Sequence, residues 1–133
     1  MATYFMKCDC GADVLVHVGD KICQNTLCWF RSYHCSNCGK AIELDDADEI
    51  PPEIRQIILE QDGTFELYLC NEKDRGKAEF LLKKLPVDNM KMCNVFVENK
   101  TDVIIRGTQN EVLLVKLLLE KRGICCQLRR MNS

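Results

Sequence analysis

The amino-terminal third of the chain carries two stretches that decide its fold, Cys8-Asp9-Cys10-Gly11 and Cys35-Ser36-Asn37-Cys38-Gly39. Each contains a Cys-Gly step, and glycine there lets the backbone turn tightly and point its amide towards sulfur. A tetrahedral zinc ion takes four thiolates at about 2.3 Å, and two such turns from separate hairpins supply them. We therefore expect one zinc ion, bound by Cys8, Cys10, Cys35 and Cys38.

The sequence between these turns indicates strands. Residues 12–18 alternate as in a strand, and residues 29–34 indicate another strand. Together with the two turns, residues 5–44 resemble the zinc-ribbon family, with one residue between the first two cysteines where ribbons usually have two. The resemblance implies a small β domain. A closed shell of four thiolates leaves no coordination position for water or substrate, so we expect the zinc to be structural.

Two other interpretations of the early cysteines remain open. The cysteines could be buried free thiols, since cysteine is among the most buried residue types. Alternatively, Cys23 and Cys28 could replace one turn as zinc ligands or help to form a second site, because four-residue separations also occur in zinc sites. We interpret His17 and His34 as structural residues.

The composition is that of an ordered, slightly acidic protein. The chain has 133 residues, 47% of them hydrophobic and 29% charged, with a net charge of -2 and 10 cysteines. This length suits one domain or two small ones, and the composition excludes extensive disorder. No apolar run reaches the roughly 18 residues that a membrane helix needs, and the first residues do not form a signal peptide. We expect a soluble cytoplasmic protein whose thiols stay reduced or bind metal.

A change of composition marks a boundary in the chain. An acidic stretch, residues 43–49, is followed shortly by the double proline Pro51-Pro52. Such a change is typical of a domain boundary. We therefore predict a zinc ribbon with an acidic linker over residues 1–50 and a second domain over residues 51–133.

The second domain is predicted to begin with a helix. Proline favours the first turn of a helix, and Ile54, Ile57 and Ile58 have the spacing of an amphipathic helix that ends before Gly63. Because this helix directly follows the boundary, we expect it to bridge the two parts.

The remaining pattern predicts the order βαββαβ. Thr108 and Glu111 are spaced as a capping box, and Asn71 offers a similar polar start to the earlier helix. A shift of 37 residues aligns the two halves. We predict an α+β fold in which a ferredoxin-like sandwich follows the ribbon. Residues 64–130 also resemble small bacterial signal-transducing domains, but a fold does not indicate function. The predicted strands cover 65–70, 93–98, 102–106 and 124–129. The first predicted helix opens near Asn71 and Asp74 and ends before Pro86, and the second covers 108–122.

The sequence offers few groups for catalysis. It has two histidines and lacks a Gly-rich phosphate loop, a GxSxG elbow and an HExxH helix, so we expect no enzymatic activity. A thiol oxidoreductase that uses Cys35 and Cys38 is the least favoured alternative, because both already belong to a predicted zinc turn. We interpret Cys125 and Cys126 as ordinary strand thiols that point to opposite faces.

Acidic residues near the boundary form the candidate partner site. An acidic face selects basic protein surfaces, although a solvated linker is the alternative. We expect a non-enzymatic protein-interaction module, for example an immunity protein that neutralises a bacterial nuclease toxin. The alternative is a nucleic-acid-binding or translation-regulating zinc ribbon, for which the acidic balance is unfavourable. The candidate residues are Asp45, Asp46, Asp48, Glu49 and Glu53.

Overall fold

Alternating apolar residues build the first of two antiparallel sheets. The computed structural model describes residues 2–24, 26–47, 49–84 and 103–131. The strands of this sheet lie side by side in chain order. The predicted strand at 29–34 lies within the third strand, and the one at 12–18 is confirmed in the second strand apart from Ala12. The first strand was not predicted. The four are β1 (Ala2–Lys7), β2 (Asp13–Cys23), β3 (Thr26–His34) and β4 (Ala41–Asp46).

The beginning of the acidic stretch is a strand. β4 pairs with β3 in a register that runs from His34↔Ala41 to Trp29↔Asp46, so Asp45 and Asp46 are strand residues. Ile42 also packs against the core of this sheet. Residues 43–46 of the acidic stretch are therefore strand rather than linker, because backbone pairing with a neighbouring strand outweighs the local acidic composition.

The helix predicted after the double proline is confirmed as α1 (Pro52–Asp62). Its buried face packs on the first sheet, since Ile54 and Ile58 belong to the same cluster as Val16 and Trp29. The helix ends at Gly63, whose φ is 98° and whose N–H donates to the carbonyl of Leu59 at 3.1 Å.

The second sheet has three strands within the described part of the chain. β5 (Phe65–Leu69) lies in the centre, antiparallel to both β6 (Val103–Gly107) and β7 (Cys126–Arg130). The helices α2 (Arg75–Lys84) and α3 (Gln109–Glu120) complete an α+β fold with two antiparallel sheets. The strand predicted at 93–98 lies outside the described residues, so the ferredoxin-like sandwich stays a prediction.

The polar starts predicted for the helices are present in the structure. Thr108 Oγ1 accepts a hydrogen bond from the N–H of Glu111 at 3.1 Å, and Glu111 Oε1 accepts from the N–H of Thr108 at 2.8 Å. This confirms the capping box of α3. Asn71 accepts from the N–H of Lys73 at 3.0 Å and caps a short 3₁₀ turn, Glu72–Asp74, which leads into α2.

Residues from the first sheet reach into the core of the second. Ile22 and Leu27, near the tip of the β2–β3 hairpin, pack against the cluster that contains the second sheet and α3. Asp20 accepts hydrogen bonds from the hydroxyl of Thr108 and from Asn110 Nδ2, the latter at 3.0 Å to Oδ1. These contacts join the two parts of the chain, while the division at residue 50 stays a prediction.

An ion pair links α1 to α3. Arg55 Nε lies 2.9 Å from Glu111 Oε2, and Arg55 Nη2 lies 2.9 Å from Glu111 Oε1. The two parallel contacts form a bidentate pair, the geometry in which guanidinium and carboxylate interact most specifically.

Cys70 and Cys125 form a disulfide, which the expectation of reduced or metal-bound thiols did not include. Their Cα atoms are 5.5 Å apart because β5 and β7 are neighbours, and the pair continues the register Leu69↔Cys126 by one position. The interpretation of Cys125 as an ordinary thiol is therefore wrong. Its neighbour Cys126 is a buried free thiol, and burial raises its pKa to about 11. The two side chains do point to opposite faces, since Cys125 is exposed.

Candidate metal centre

Two turns at one end of the first sheet hold the four predicted zinc ligands. Cys8 and Cys10 lie between β1 and β2, and Cys35 and Cys38 lie between β3 and β4. Because neighbouring strands of this sheet run antiparallel in chain order, both turns lie at the same end of it. The local sequence and the sheet topology together bring the four cysteines to one place.

Backbone hydrogen bonds close the two turns in similar ways. The N–H of Gly11 donates to the carbonyl of Cys8, and the N–H of Gly39 donates to the carbonyl of Cys35, both at 2.8 Å. Gly11 has a φ of 93° and Gly39 a φ of 79°, a conformation that glycine adopts without the steric cost of a side chain. The Cys-Gly steps in the sequence are therefore required by the backbone of the turns.

The four sulfur atoms form a compact group. Cys8 Sγ lies 3.7 Å from Cys38 Sγ, Cys10 Sγ lies 3.6 Å from Cys35 Sγ, and all four lie within 4.8 Å of one another. Metal–sulfur bonds of about 2.3 Å in a regular tetrahedron place the sulfurs roughly 3.8 Å apart. The observed spacing fits this geometry, so the four cysteines lie close enough to bind one metal ion.

Polar side chains connect the two turns around the sulfurs. Asn37 Nδ2, in the second turn, donates to Cys10 Sγ in the first at 3.4 Å. Lys40 pairs with Asp9 across the same gap. The hydrogen bond from Lys40 lowers the pKa of Asp9, and the same contact raises the pKa of Lys40. Both contacts hold the turns together, and Lys40 adds positive charge beside a group of potential thiolates.

The thiols compete for ionisation. The pKa of Cys10 is lowered to about 6, chiefly by the hydrogen bond from Asn37 and then by a backbone hydrogen bond at Ala12. A backbone hydrogen bond at Lys40 lowers the pKa of Cys38, but burial and the neighbouring thiols raise it by more, to about 11. One sulfur thus ionises at the expense of another. A divalent cation removes this competition, because it stabilises all coordinating thiolates together.

The alternative ligands lie elsewhere. Cys23 ends β2 and Cys28 lies in β3, near the opposite end of the hairpin from the four-cysteine group. The possible metal-binding group within the described residues contains neither of these cysteines, nor His17 or His34. Cys8 and Cys35 are buried, whereas Cys10 and Cys38 are exposed, so the group sits at the protein surface with one side towards solvent.

No protein-family model, curated protein or solved structure matches this chain. The zinc-ribbon assignment and the resemblance to signal-transducing domains therefore stay predictions. Among the described helices, none combines the length and the apolar character that crossing a lipid bilayer requires.

The candidate acidic residues occupy three neighbouring segments. Asp45 and Asp46 lie in β4, Glu49 follows the strand, and Glu53 lies in the first turn of α1. Asp48 lies outside the described residues. Asp45, Glu49 and Glu53 are exposed, and Asp45 Oδ1 is 3.3 Å from Lys21 Nζ. β4 is an edge strand of the sheet as described, so these carboxylates lie along and just beyond a sheet edge.

Sequence reasoning missed the functional candidates that depend on long-range contacts. The Cys70–Cys125 disulfide joins residues 55 positions apart, and its only sequence signal was the placement of both cysteines at the ends of predicted strands. A cleft lined by Gly19, Phe30 and Arg130, which are far apart in the sequence, had no local signal at all.

Proposed function

We propose that this chain is a non-enzymatic protein-binding module whose first sheet is held by one structural zinc ion. The spacing of four sulfurs at 3.6–3.7 Å between partners across the two turns is the observation that supports the metal most directly. Cys8, Cys10, Cys35 and Cys38 would hold the ion. Zinc is the metal that four cysteines in tetrahedral geometry most commonly bind in structural sites.

The proposed zinc supplies folding free energy rather than chemistry. A four-thiolate shell leaves no position for a reacting water molecule. Among the described residues, the two turns are also joined by polar contacts at the surface, such as the Asn37–Cys10 hydrogen bond, and by the buried side chains of Cys8 and Cys35. In zinc-finger peptides the metal contributes on the order of 10 kcal/mol, so an ion here would fix the end of the sheet where β1, β2, β3 and β4 are connected.

Zinc analysis of matched variants tests the metal. Freshly purified protein should contain one zinc ion per chain, and Cys10→Ser should lower both the zinc content and the stability of the first sheet. Cys23→Ser is the control, since it removes a thiol outside the group, and it should keep the metal. Protein that is folded and metal-free, or equal zinc loss in both variants, would contradict the proposal.

The acidic edge, formed by Asp45, Asp46, Glu49 and Glu53, supports a basic protein as the partner. β4 has a neighbour on one side only within the described chain, so its other side can pair with an extended segment of another protein. The carboxylates of Asp45, Glu49 and Glu53 would favour a segment rich in lysine and arginine. A nuclease toxin with a basic cleft is one partner of this chemistry. The specific form of the proposal is therefore an immunity protein that binds and neutralises such a toxin.

Capture experiments with charge variants test the partner. The immobilised chain should retain basic proteins from nuclease-treated lysate at low salt and release them as salt rises. A variant with Asp45→Asn, Glu49→Gln and Glu53→Gln should lose this retention. A control with Glu60→Gln, Glu72→Gln and Glu120→Gln, which removes the same charge elsewhere, should keep it. Equal retention by both variants would refute the acidic edge, and retention that disappears after nuclease treatment would favour the nucleic-acid function instead.

A further inference from the structure

A cleft opens where the two sheets meet. Its volume is about 520 Å³, and its walls come from β2, β3, the end of α1, the start of α3 and the end of β7. Small-molecule sites commonly have volumes of about 300–1,000 Å³ and lie between structural units. The size and the position of this cleft are therefore those of a ligand site, and its lining indicates which ligand would fit.

Arg130 is the cationic side chain among the residues that line the cleft, and the carboxylates of Asp20 and Asp62 line it as well. Four other arginines of the described chain pair with a glutamate, whereas no carboxylate partner of Arg130 is found among the described residues. The guanidinium of Arg130 packs against Gly63, where a Cβ would lie 3.0 Å from Cζ. Gly63 therefore leaves room for the guanidinium between this cleft and a neighbouring groove, which Gly63, Arg106 and Arg130 line. The paired arginines are Arg55, Arg75, Arg106 and Arg129.

The carboxylates of the cleft are already engaged. Asp20 accepts hydrogen bonds from Thr108 and Asn110, which hold both of its oxygens. Asp62 also has an interaction partner. Arg130 is therefore the cationic group of the cleft that an acidic ligand can contact, while Asp20 is held by its own hydrogen bonds. A guanidinium binds carboxylate and phosphate groups through two parallel hydrogen bonds, which favours an anionic ligand.

Two aromatic rings and an amide complete the lining. Phe30 and Phe65 both line the cleft, and the ring of Phe30 lies directly against Gly19, where any side chain would collide with it. Gln109 lies in the first turn of α3, and its side-chain amide can donate a hydrogen bond to an acid group. Aromatic rings offer flat apolar surfaces on which a planar ligand can stack.

We propose that this cleft binds a small aromatic anion, a planar ring that carries a carboxylate or phosphate group. Arg130 binds the acid group, with Gln109 as a further donor, and Phe30 and Phe65 contact the ring. This site is separate from the four-cysteine group. It adjoins the acidic edge through Phe30, the cross-strand neighbour of Asp45, but it uses none of the acidic residues and does not depend on the proposed function.

Titrations followed by amide NMR test this site with four probes. Adenosine monophosphate and benzoate combine a ring with a phosphate and a carboxylate, while adenosine and inorganic phosphate each supply one half. At least one of the two aromatic anions should bind with a Kd of about 1 mM or tighter and shift signals of Gly19 and Gln109. Its affinity should exceed that of both half-probes by about tenfold, and preference between the two anions identifies the acid group.

Variants separate the cleft from general charge effects. Arg130→Gln should weaken binding about tenfold. Arg122→Gln, two residues past the far end of α3, should leave binding unchanged. Phe30→Leu should reduce the advantage of the aromatic anion over inorganic phosphate. Urea unfolding of each variant shows whether the fold is intact. No saturable binding of either aromatic anion to the full chain, or equal binding by Arg130→Gln and the parent, would overturn the proposal.

Discussion

Glu111 connects two parts of the molecule through one carboxylate. It is only 4% exposed, it accepts the N–H of Thr108 at the start of α3, and it pairs with Arg55 of α1. The hydrogen bond from Arg55 to Glu111 raises the pKa of the Arg55 guanidinium above its ordinary value. A buried carboxylate is stable only with such partners, because an unpaired buried charge is costly.

Replacement of Glu111 should therefore destabilise the fold. Glu111→Ala leaves the N–H of Thr108 and the partly buried Arg55 without their acceptor, and we expect a loss of about 2–3 kcal/mol in the free energy of unfolding. Glu111→Gln keeps one acceptor for the helix cap and should lose less. Urea unfolding measures both effects. The comparison is Glu120→Ala, which breaks an exposed pair with Lys116 and should cost less than about 0.5 kcal/mol; equal effects would show that the Arg55 pair contributes nothing.

At this scale the sequence predicted local contacts and missed distant ones. The capping box was predictable because Thr108 and Glu111 are three residues apart, and the candidate zinc ligands were predictable because cysteine and glycine spacing reflects turn geometry. The pairing of Arg55 with Glu111 spans 56 residues and depends on how α1 and α3 pack. No spacing rule contains that information.

Among the elements, β5 is linked to both of its neighbouring strands through the carboxylate of Glu66. Glu66 lies opposite Arg106 of β6 and opposite Arg129 of β7, and it forms an ion pair with each. The ring of Tyr68 lies 4.5 Å from the guanidinium carbon of Arg129. The three strands therefore share one charged row in addition to their apolar face.

This row makes stability depend on pH. Burial raises the pKa of Glu66, but hydrogen bonds from Arg129 and Arg106 outweigh it, so the pKa lies below the ordinary value. A carboxylate with a lowered folded-state pKa stabilises the fold above its ordinary pKa, and this contribution is lost as pH falls through the lowered value. We expect Glu66→Gln to make unfolding less sensitive to pH below about pH 5, measured by urea titrations at several pH values.

The exposed residue Glu60 supplies the comparison for this experiment. Glu60→Gln should retain the pH dependence of the parent, because no arginine pair is removed. If Glu66→Gln shows the same acid sensitivity as the parent, the two arginines do not hold Glu66 in its ionised form.

Element types were predictable where apolar residues alternate or repeat, as in β2, β5 and α1. The prediction failed for β4, because the acidic composition of residues 43–46 obscured a strand that is specified by its neighbour β3. It also missed β1, whose assignment depends on pairing with β2. Strand identity at a sheet edge depends on the partner strand, so local composition is a poor guide there.

Across the whole molecule, the Cys70–Cys125 disulfide closes a long segment of chain. The two cysteines are separated by 55 positions. In the chain-entropy model, a cross-link over a loop of this length stabilises a fold by roughly 4 kcal/mol, because it restricts the unfolded chain.

Reduction should therefore lower the free energy of unfolding by about 2–4 kcal/mol. Urea unfolding with and without a phosphine reductant, at saturating zinc, measures the difference. Cys70→Ser should show the reduced stability under both conditions, whereas Cys23→Ser should respond to reduction like the parent. An equal effect of the reductant on Cys70→Ser and on the parent would place the sensitivity in other thiols.

Ile22 and Leu27 come from the first sheet but pack in the core of the second. A fragment that starts at residue 51 lacks Ile22 and Leu27. It would therefore leave apolar side chains of its core beside α3 exposed to solvent. We therefore expect a fragment of residues 51–133 to fold poorly without residues 22 and 27. Two separately produced halves, mixed together, should recover order that each lacks alone, as in a split protein whose fragments reassemble.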